Sequence, residues 1–292
     1  MPSHDKKVAN TAVRQEQERK LNRRFGRTTV NHTVLFLLAL VMLLPFLWMV
    51  LASFKSRSEV EQINPIPVVW HPENYKRVFE QIPFAKYYFN SVFISAWVTV
   101  LQCLTSAMAA YAFSRIRWRF RDAVFRLYLM TLMIPGVVTM IPNFTLMVRL
   151  HLLDSYVGLI VPAAFSAFGT FLLRQFMLTI PASLDEAAGM DGATHWQIFW
   201  EVIFPLARAG VITLAVFTFM GTYGSFTWPL IMIKSESLRT LPIGMLFFDS
   251  IYGKQTELIM AASVMNIVPL ILLFSFTQKY LVSGIQLGAV KG

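Results

Sequence analysis

Residues 87–114 read YYFNSVFISAWVTVLQCLTSAMAAYAFS, 28 positions without an Asp, Glu, Lys or Arg. The hydrocarbon core of a bilayer needs about 20 mainly apolar residues in helix. Outward from this stretch, charge-free windows recur at 33–54, 127–148, 155–173, 209–233 and 258–278. Together the six windows hold 137 of the 292 residues, so all 42 charged residues sit in the other 155. The chain is 55% hydrophobic and 14% charged, with a mean hydropathy of +0.54; soluble domains carry about 25% charged residues. These numbers exclude a soluble enzyme, a disordered chain and an outer-membrane barrel. They predict an all-α integral membrane protein with six transmembrane helices, at about 33–54, 89–114, 127–148, 155–174, 209–233 and 258–278.

Charge sets the orientation. With alternating sides, one face collects 17 Lys and Arg and the other 9, which places both termini in the cytoplasm. The short connection Arg115-Ile-Arg-Trp-Arg-Phe-Arg121 is the most telling. The net charge of +10 serves this topology, and nucleic acid is not expected as a partner. Residues 1–32 form a basic cytoplasmic tail. The 22-residue window behind it is too long for a signal-peptide core and lacks a small-residue cleavage site, so it reads as an uncleaved first span. The single cysteine, Cys103, rules out an internal disulfide and a cysteine-based metal site, and reads as an apolar packing residue.

The fourth connection is far longer than two neighbouring helices need. Residues 181–205 read PASLDEAAGMDGATHWQIFWEVIFP. Ser183 with Glu186 three residues on predicts a capping box. Asp185 and Glu186 suit a helix N-terminus. Leu184, Ala187, Ala188 and Met190 make a small apolar surface. Gly192 breaks the helix and permits a sharp turn. A second helix begins near Thr194, carrying Trp196, Phe199, Trp200 and Ile203 as one stripe, and Pro205 ends it. The residues alone leave two readings open: an amphipathic hairpin lying on the membrane, or a docking knob for a cytoplasmic partner. The acidic residues Asp185, Glu186, Asp191 and Glu201 lean toward the partner, because they suit an anionic leaflet poorly.

Glu186-Ala187-Ala188, three residues, Gly192, nine residues, then Val202-Ile203-Phe204-Pro205 resembles the EAA loop of binding-protein-dependent ABC importer permeases. Val and Phe replace the usual Ile and Leu, and Asp191-Gly192-Ala193 matches the usual Asp-Gly-Ala. Thr240-Leu241-Pro242-Ile243-Gly244, Met260-Ala261-Ala262-Ser263, Gln278-Lys279-Tyr280 and the end Gly288-Ala289-Val290-Lys291-Gly292 are similar to the carbohydrate-uptake branch, the six-span permeases of the maltose-transporter type. The resemblance covers about residues 30–292. It implies the type I ABC importer permease architecture in a bacterial inner membrane, as a multi-pass protein. It also implies a second permease, usually a different chain, two cytoplasmic ATPase subunits that bind ATP and Mg, and an extracytoplasmic solute-binding protein, with membrane lipid around the spans. This chain itself would hold no cofactor, no metal and no catalytic residue. Residues Leu184 to Ala188, Met190, Asp191, Gly192 and Ala193 would couple to the ATPase: Glu186 would pair with a basic group there, and Leu184 and Met190 would fill its groove. Gly288, Val290, Lys291 and Gly292 would form a second ATPase contact.

Candidates for the substrate path are the polar groups within spans: Asn143, Thr222, Tyr223, Gly224, Ser225, Trp228 and Asn266. Any single one reads equally as a helix–helix hydrogen bond. Residues 221–229, GTYGSFTWP, stand out because two glycines, a proline, hydroxyls and aromatic rings suit an interrupted helix beside a polar path. Relatives often carry Trp-Asn-Asp/Glu-Phe where this chain has Tyr223-Gly224-Ser225-Phe226, which suggests a substrate larger than a disaccharide or one that is itself acidic. The rival classes are a secondary transporter or channel for a small polar solute, and a membrane-embedded enzyme. Coupled carriers commonly place charged residues inside spans, and the six windows hold none. Gly253-Lys254-Gln255 lacks the earlier glycine and the Ser/Thr of a phosphate loop, so ATP hydrolysis is expected elsewhere.

Overall fold

A computed structural model describes residues 31–62, 64–250 and 253–289. Most of tail 1–32, and Val290, Lys291 and Gly292, therefore lie outside the described residues. The chain opens with α1, Asn31–Ser53. A structured crossing follows, with a one-turn helix at Arg57–Val60 and then α2, Glu73–Gln81. Helix α3, Phe84–Ser114, is the long central element. Next come α4 (Arg121–Met130), α5 (Gly136–Arg149), α6 (Tyr156–Ile160) and α7 (Ala167–Leu178). The long connection between α7 and α10 holds α8 (Ser183–Met190) and α9 (His195–Leu206). Then follow α10 (Arg208–Tyr223), α11 (Thr227–Met232) and α12 (Thr256–Ala289), the last preceded by a two-residue hairpin, β1 Asp249–Ser250 with β2 Gly253–Lys254.

Breaks interrupt several apolar windows. The segments before and after Pro135 meet at 98°, because proline fixes its own φ and its ring excludes helix from the residue before it. The α6 segment and α7 meet at 44°. The window 209–233 splits into α10 and α11 around Gly224–Phe226, and the segment at 256–289 outruns its window.

Helix α3 carries all three core clusters. Cys103, Ala107, Ala110 and Tyr111 pack on α7, α9 and α10 through Leu173, Met177, Ile198, Phe199, Ile203 and Leu214. Ile94 and Val98 meet Met147, Leu159 and Met232 in its middle. Phe84 and Tyr87 meet α2 and the start of α12 at its other end. Small residues let these helices approach closely: a Cβ on Gly169 of α7 would stand 2.6 Å from the Ser106 hydroxyl oxygen and 3.1 Å from Leu214. Many large apolar side chains outside these clusters remain exposed, among them Leu37, Val41 and Leu44 on α1, Val137 and Ile141 on α5, and Leu272 and Phe276 on α12. Apolar exposure on this scale marks surfaces made for lipid or for a partner.

The connection from α1 to α3 is better built than Pro65, Pro67, Pro72 and Pro83 suggest. Asn74 donates to the carbonyls of Ser53 at 2.9 Å and Lys55 at 2.8 Å. The buried Lys55 ammonium donates to the Asn64 carbonyl and lies 4.8 Å from the centre of the Trp48 ring.

Candidate functional sites: a capped helical knob and a polar cavity

Helix α8 starts one residue earlier than expected, with Ala182 in the N-cap position. Ala182 is already helical, at φ −67° and ψ −25°, and the Pro181 carbonyl accepts from the Leu184 amide. Ser183 therefore lies inside the helix, where it makes no cap bond, which corrects the expected Ser183–Glu186 capping box. The box forms one helix later. The Gln197 amide donates to the Thr194 hydroxyl at 3.4 Å, and the Thr194 amide to the Gln197 side chain at 2.8 Å.

Helix α8 ends in a Schellman closure. Gly192, at φ +82°, donates its amide to the Gly189 carbonyl at 3.1 Å, and Ala193 donates to Ala188 at 3.0 Å. Ala188 and Ala193 then pack on the core cluster of Tyr111, Met177 and Phe199, so the turn is tied down from behind. Leu184 is 41% exposed and Met190 87% exposed. Glu186, Ala187 and Asp191 are exposed with them. Asp185 points the other way, toward Arg115, at 2.8 Å. Burial holds its carboxyl above the ordinary range, while Arg115 pulls it down.

Helix α9 contains a π segment, Ile198–Ile203. The wider turn brings Ile198 into the core with Phe199 and Ile203, and Trp196 remains 61% exposed. The stripe expected at regular α spacing is thereby shifted. Phe199 meets the Tyr111 ring at 5.4 Å and the Trp200 ring at 4.9 Å. Pro205 does not end the helix at once: the chain turns at Ala207 and meets α10 at 76°.

The second feature is a cavity of about 600 Å³ among the broken helices. Asn143, Thr222, Ser225 and Trp228 all line it, together with Gly136 and Met140 of α5. The Trp228 indole is fixed by donating to the Gly158 carbonyl at 3.2 Å. Tyr223, Gly224 and Asn266 are not on its wall. Tyr223 is buried against α12 and donates its hydroxyl to the Asn266 backbone carbonyl at 3.1 Å. Gly224 is exposed, with only the Met220 carbonyl, 3.5 Å away, near a notional Cβ. The sequence reading missed Ser91 and Thr240 on the wall. The Ser91 hydroxyl accepts from the Leu241 amide at 2.8 Å, and the Thr240 hydroxyl is buried without a hydrogen-bond partner among the described residues. Hydrophobicity gives no signal for a serine that faces a cavity from a long apolar helix.

Asp154 fastens the loop beyond α11. Its carboxylate accepts from the Lys234 and Ser235 amides, both at 2.9 Å, and from the Ser235 hydroxyl. The Ser235 hydroxyl and these amides hold the Asp154 carboxyl below the ordinary carboxylate range.

A helical membrane frame with a polar cavity and a capped knob on the long connection between α7 and α10 is the build of a transport permease. The chain belongs to the family of binding-protein-dependent transport system inner membrane components, which matches residues 102–286. It is 34% identical over 261 residues to the arabinooligosaccharides transport system permease protein AraQ of Halalkalibacterium halodurans, covering 87% of this chain and 93% of the relative. It is 36% identical over 262 residues to AraQ of Bacillus subtilis, covering 88% and 93%. Among solved structures it is similar to a chain of a bacterial ABC transporter involved in import of the acidic polysaccharide alginate, with TM-score 0.78 and 28% identity, covering 89% of this chain and 97% of that one. The protein is an inner-membrane permease subunit of an ABC importer and not itself an enzyme.

Proposed function

We propose that the chain is half of the translocation path of a sugar or oligosaccharide importer. Its domain plan is a basic tail at 1–32 and a permease domain at 33–292, with six spans and both termini in the cytoplasm. The bent segments around Pro135 and around Phe165 then each count as one span, and α10 with α11 as another. A second permease closes the open side of the cavity, and an extracytoplasmic binding protein delivers the solute to it. Two ATPase subunits hold ATP and Mg, and one docks on the exposed face of α8. The tail from Gly288 to Gly292 adds a second contact.

One observation carries the reading: the knob's outward residues Leu184, Glu186 and Met190 are exposed, whereas its inward residues are fastened to the same helices that wall the cavity. An oligosaccharide is supported by relatives that transport arabinooligosaccharides, and an acidic chain by the likeness to an alginate importer. The cavity wall offers hydroxyls, an amide and an indole and no charged group, which suits sugar hydroxyls and leaves an acidic solute unrepelled. The test is binding-protein-dependent uptake by the assembled transporter, with neutral and uronic-acid oligosaccharides compared. Ser225→Ala and Asn143→Ala are expected to change the preference among sugars at least threefold, and Gly224→Asn to leave it unchanged. Altered preference in Gly224→Asn alone would move the path away from this cavity.

A further inference from the structure

Arg115 stands immediately past the end of α3, in the connection whose arginines the charge count assigns to topology. Its side chain is only 8% exposed. One guanidinium nitrogen donates to the Met177 carbonyl at 2.6 Å and to the Ile180 carbonyl at 2.8 Å, at the end of α7 and in the link to α8. Another meets the Asp185 carboxylate of α8 at 2.8 Å. Three elements thus converge on one planar group, whose fork of donors in fixed directions is suited to this geometry. Its neighbour Arg174 already joins α7 to α3 by donating to the Phe113 carbonyl at 3.1 Å, with its guanidinium 4.2 Å from the Phe125 ring centre. Arg115–Asp185 is the ion pair that adds α8 to this frame among the described residues.

The geometry points to Arg115 as the residue that transmits movement of the docking helix to the cavity wall. The inference rests on the proposed docking of an ATPase at α8. Helix α3 carries Arg115 beside one end and Ser91 and Ile94 of the cavity wall toward the other. The rise of 1.5 Å per residue puts about 36 Å between Ser91 and Arg115 along the axis. A displacement of α8 pulls on Asp185, then on the Arg115 guanidinium, then on the ends of α3 and α7 together. Without the guanidinium, α8 keeps its outward docking face and loses its polar tie to the rods it must move. Arg115 is a positioning residue: it is not on the cavity wall, and its side chain meets Met177, Ile180 and Asp185 behind the docking face.

The experiment is hydrogen exchange with mass spectrometry on the assembled transporter in lipid nanodiscs, alongside oligosaccharide uptake. Arg115→Gln is expected to speed exchange of amides 183–190 at least tenfold and to lower uptake at least tenfold, with the ATPase still co-purifying. Arg117→Gln, an exposed neighbour, is expected to leave both within twofold. Exchange at 183–190 equal to wild type in Arg115→Gln overturns the proposal, and so does undiminished uptake. If Arg115→Gln does not assemble, Asp185→Asn decides: it removes the ion pair and keeps both carbonyl bonds. Faster exchange confined to 183–190, with 174–180 unchanged, supports the tie, and unchanged exchange at 183–190 overturns it. A wild-type chain that recruits no ATPase and takes up no sugar would refute the docking reading instead, and the exchange comparison on the chain alone would still decide whether Arg115 holds α8.

Discussion

Gly192 needs its backbone angle, not space: no atom lies within 4 Å of the position a Cβ would take, but φ is +82°. The left-handed region costs other residues about 1–2 kcal/mol. Gly192→Ala is therefore expected to destabilise the knob by about that amount, read as faster amide exchange across 183–193 with the transmembrane core unchanged. Asp154 gives a second residue-scale prediction. Its carboxyl is held below the ordinary value of 3.8. The unfolded chain binds the proton first as pH falls, so the stabilisation is present above about 3.8 and is lost as pH drops through the folded value. Asp154→Asn should flatten the acid limb of a thermal-stability profile below pH 4, and an unaltered limb would show that Asp154 adds nothing there. Gly192 was legible in the sequence because a glycine between two helical patterns has few other uses. Arg115 was not, because counting charges for topology treats every arginine near a span end as solvated. Ser183 misled because Ser-x-x-Glu names a capping box only if the chain before it is extended, and Pro181–Ala182 is already turning.

The elements themselves were legible from composition, since a charge-free run of 19 or more residues has few homes besides a bilayer. The breaks were less so. Pro135, Pro142, Pro162, Pro229 and Pro269 all marked places where helix is costly, yet Pro142 and Pro269 lie inside helices, and hydropathy cannot say that the halves around Pro135 meet at 98°. The π segment in α9 leaves no compositional trace, and it replaced the expected stripe by moving Ile198 inward and leaving Trp196 exposed. The contact of α3 with α7 supplies the prediction at this scale. Gly169 allows Ser106 and Leu214 within about one atom's width of its backbone. Gly169→Leu must push α7 off α3 and α10, and overpacking of this kind typically costs about 1–3 kcal/mol. The expected result is a lowered melting temperature and reduced yield of assembled transporter, whereas Gly221→Ala, which meets nothing within 4 Å, should behave as wild type.

At the scale of the whole molecule, the exposed apolar faces and the half-open cavity describe a part rather than a finished machine. The apolar outer faces of α1, α5 and α12 suit lipid or a second permease, and the proposed path along the cavity walled by α3, α5, α6, α10 and α11 calls for a second permease opposite it. Of the seven path candidates read from the sequence, Asn143, Thr222, Ser225 and Trp228 face that cavity, and Tyr223, Gly224 and Asn266 do not. Polarity within a span could be read from sequence, but the side it faces follows from helix rotation and breaks that only packing fixes. The measurement that bears most directly on the account is purification of tagged wild type and Glu186→Arg from their native membrane in mild detergent, with co-purifying chains identified and ATP hydrolysis assayed. Wild type is expected to bring down an ATPase and a second permease, and Glu186→Arg to keep the permease and lose the ATPase. Equal recovery of the ATPase in both, or of neither partner with wild type, would contradict that expectation.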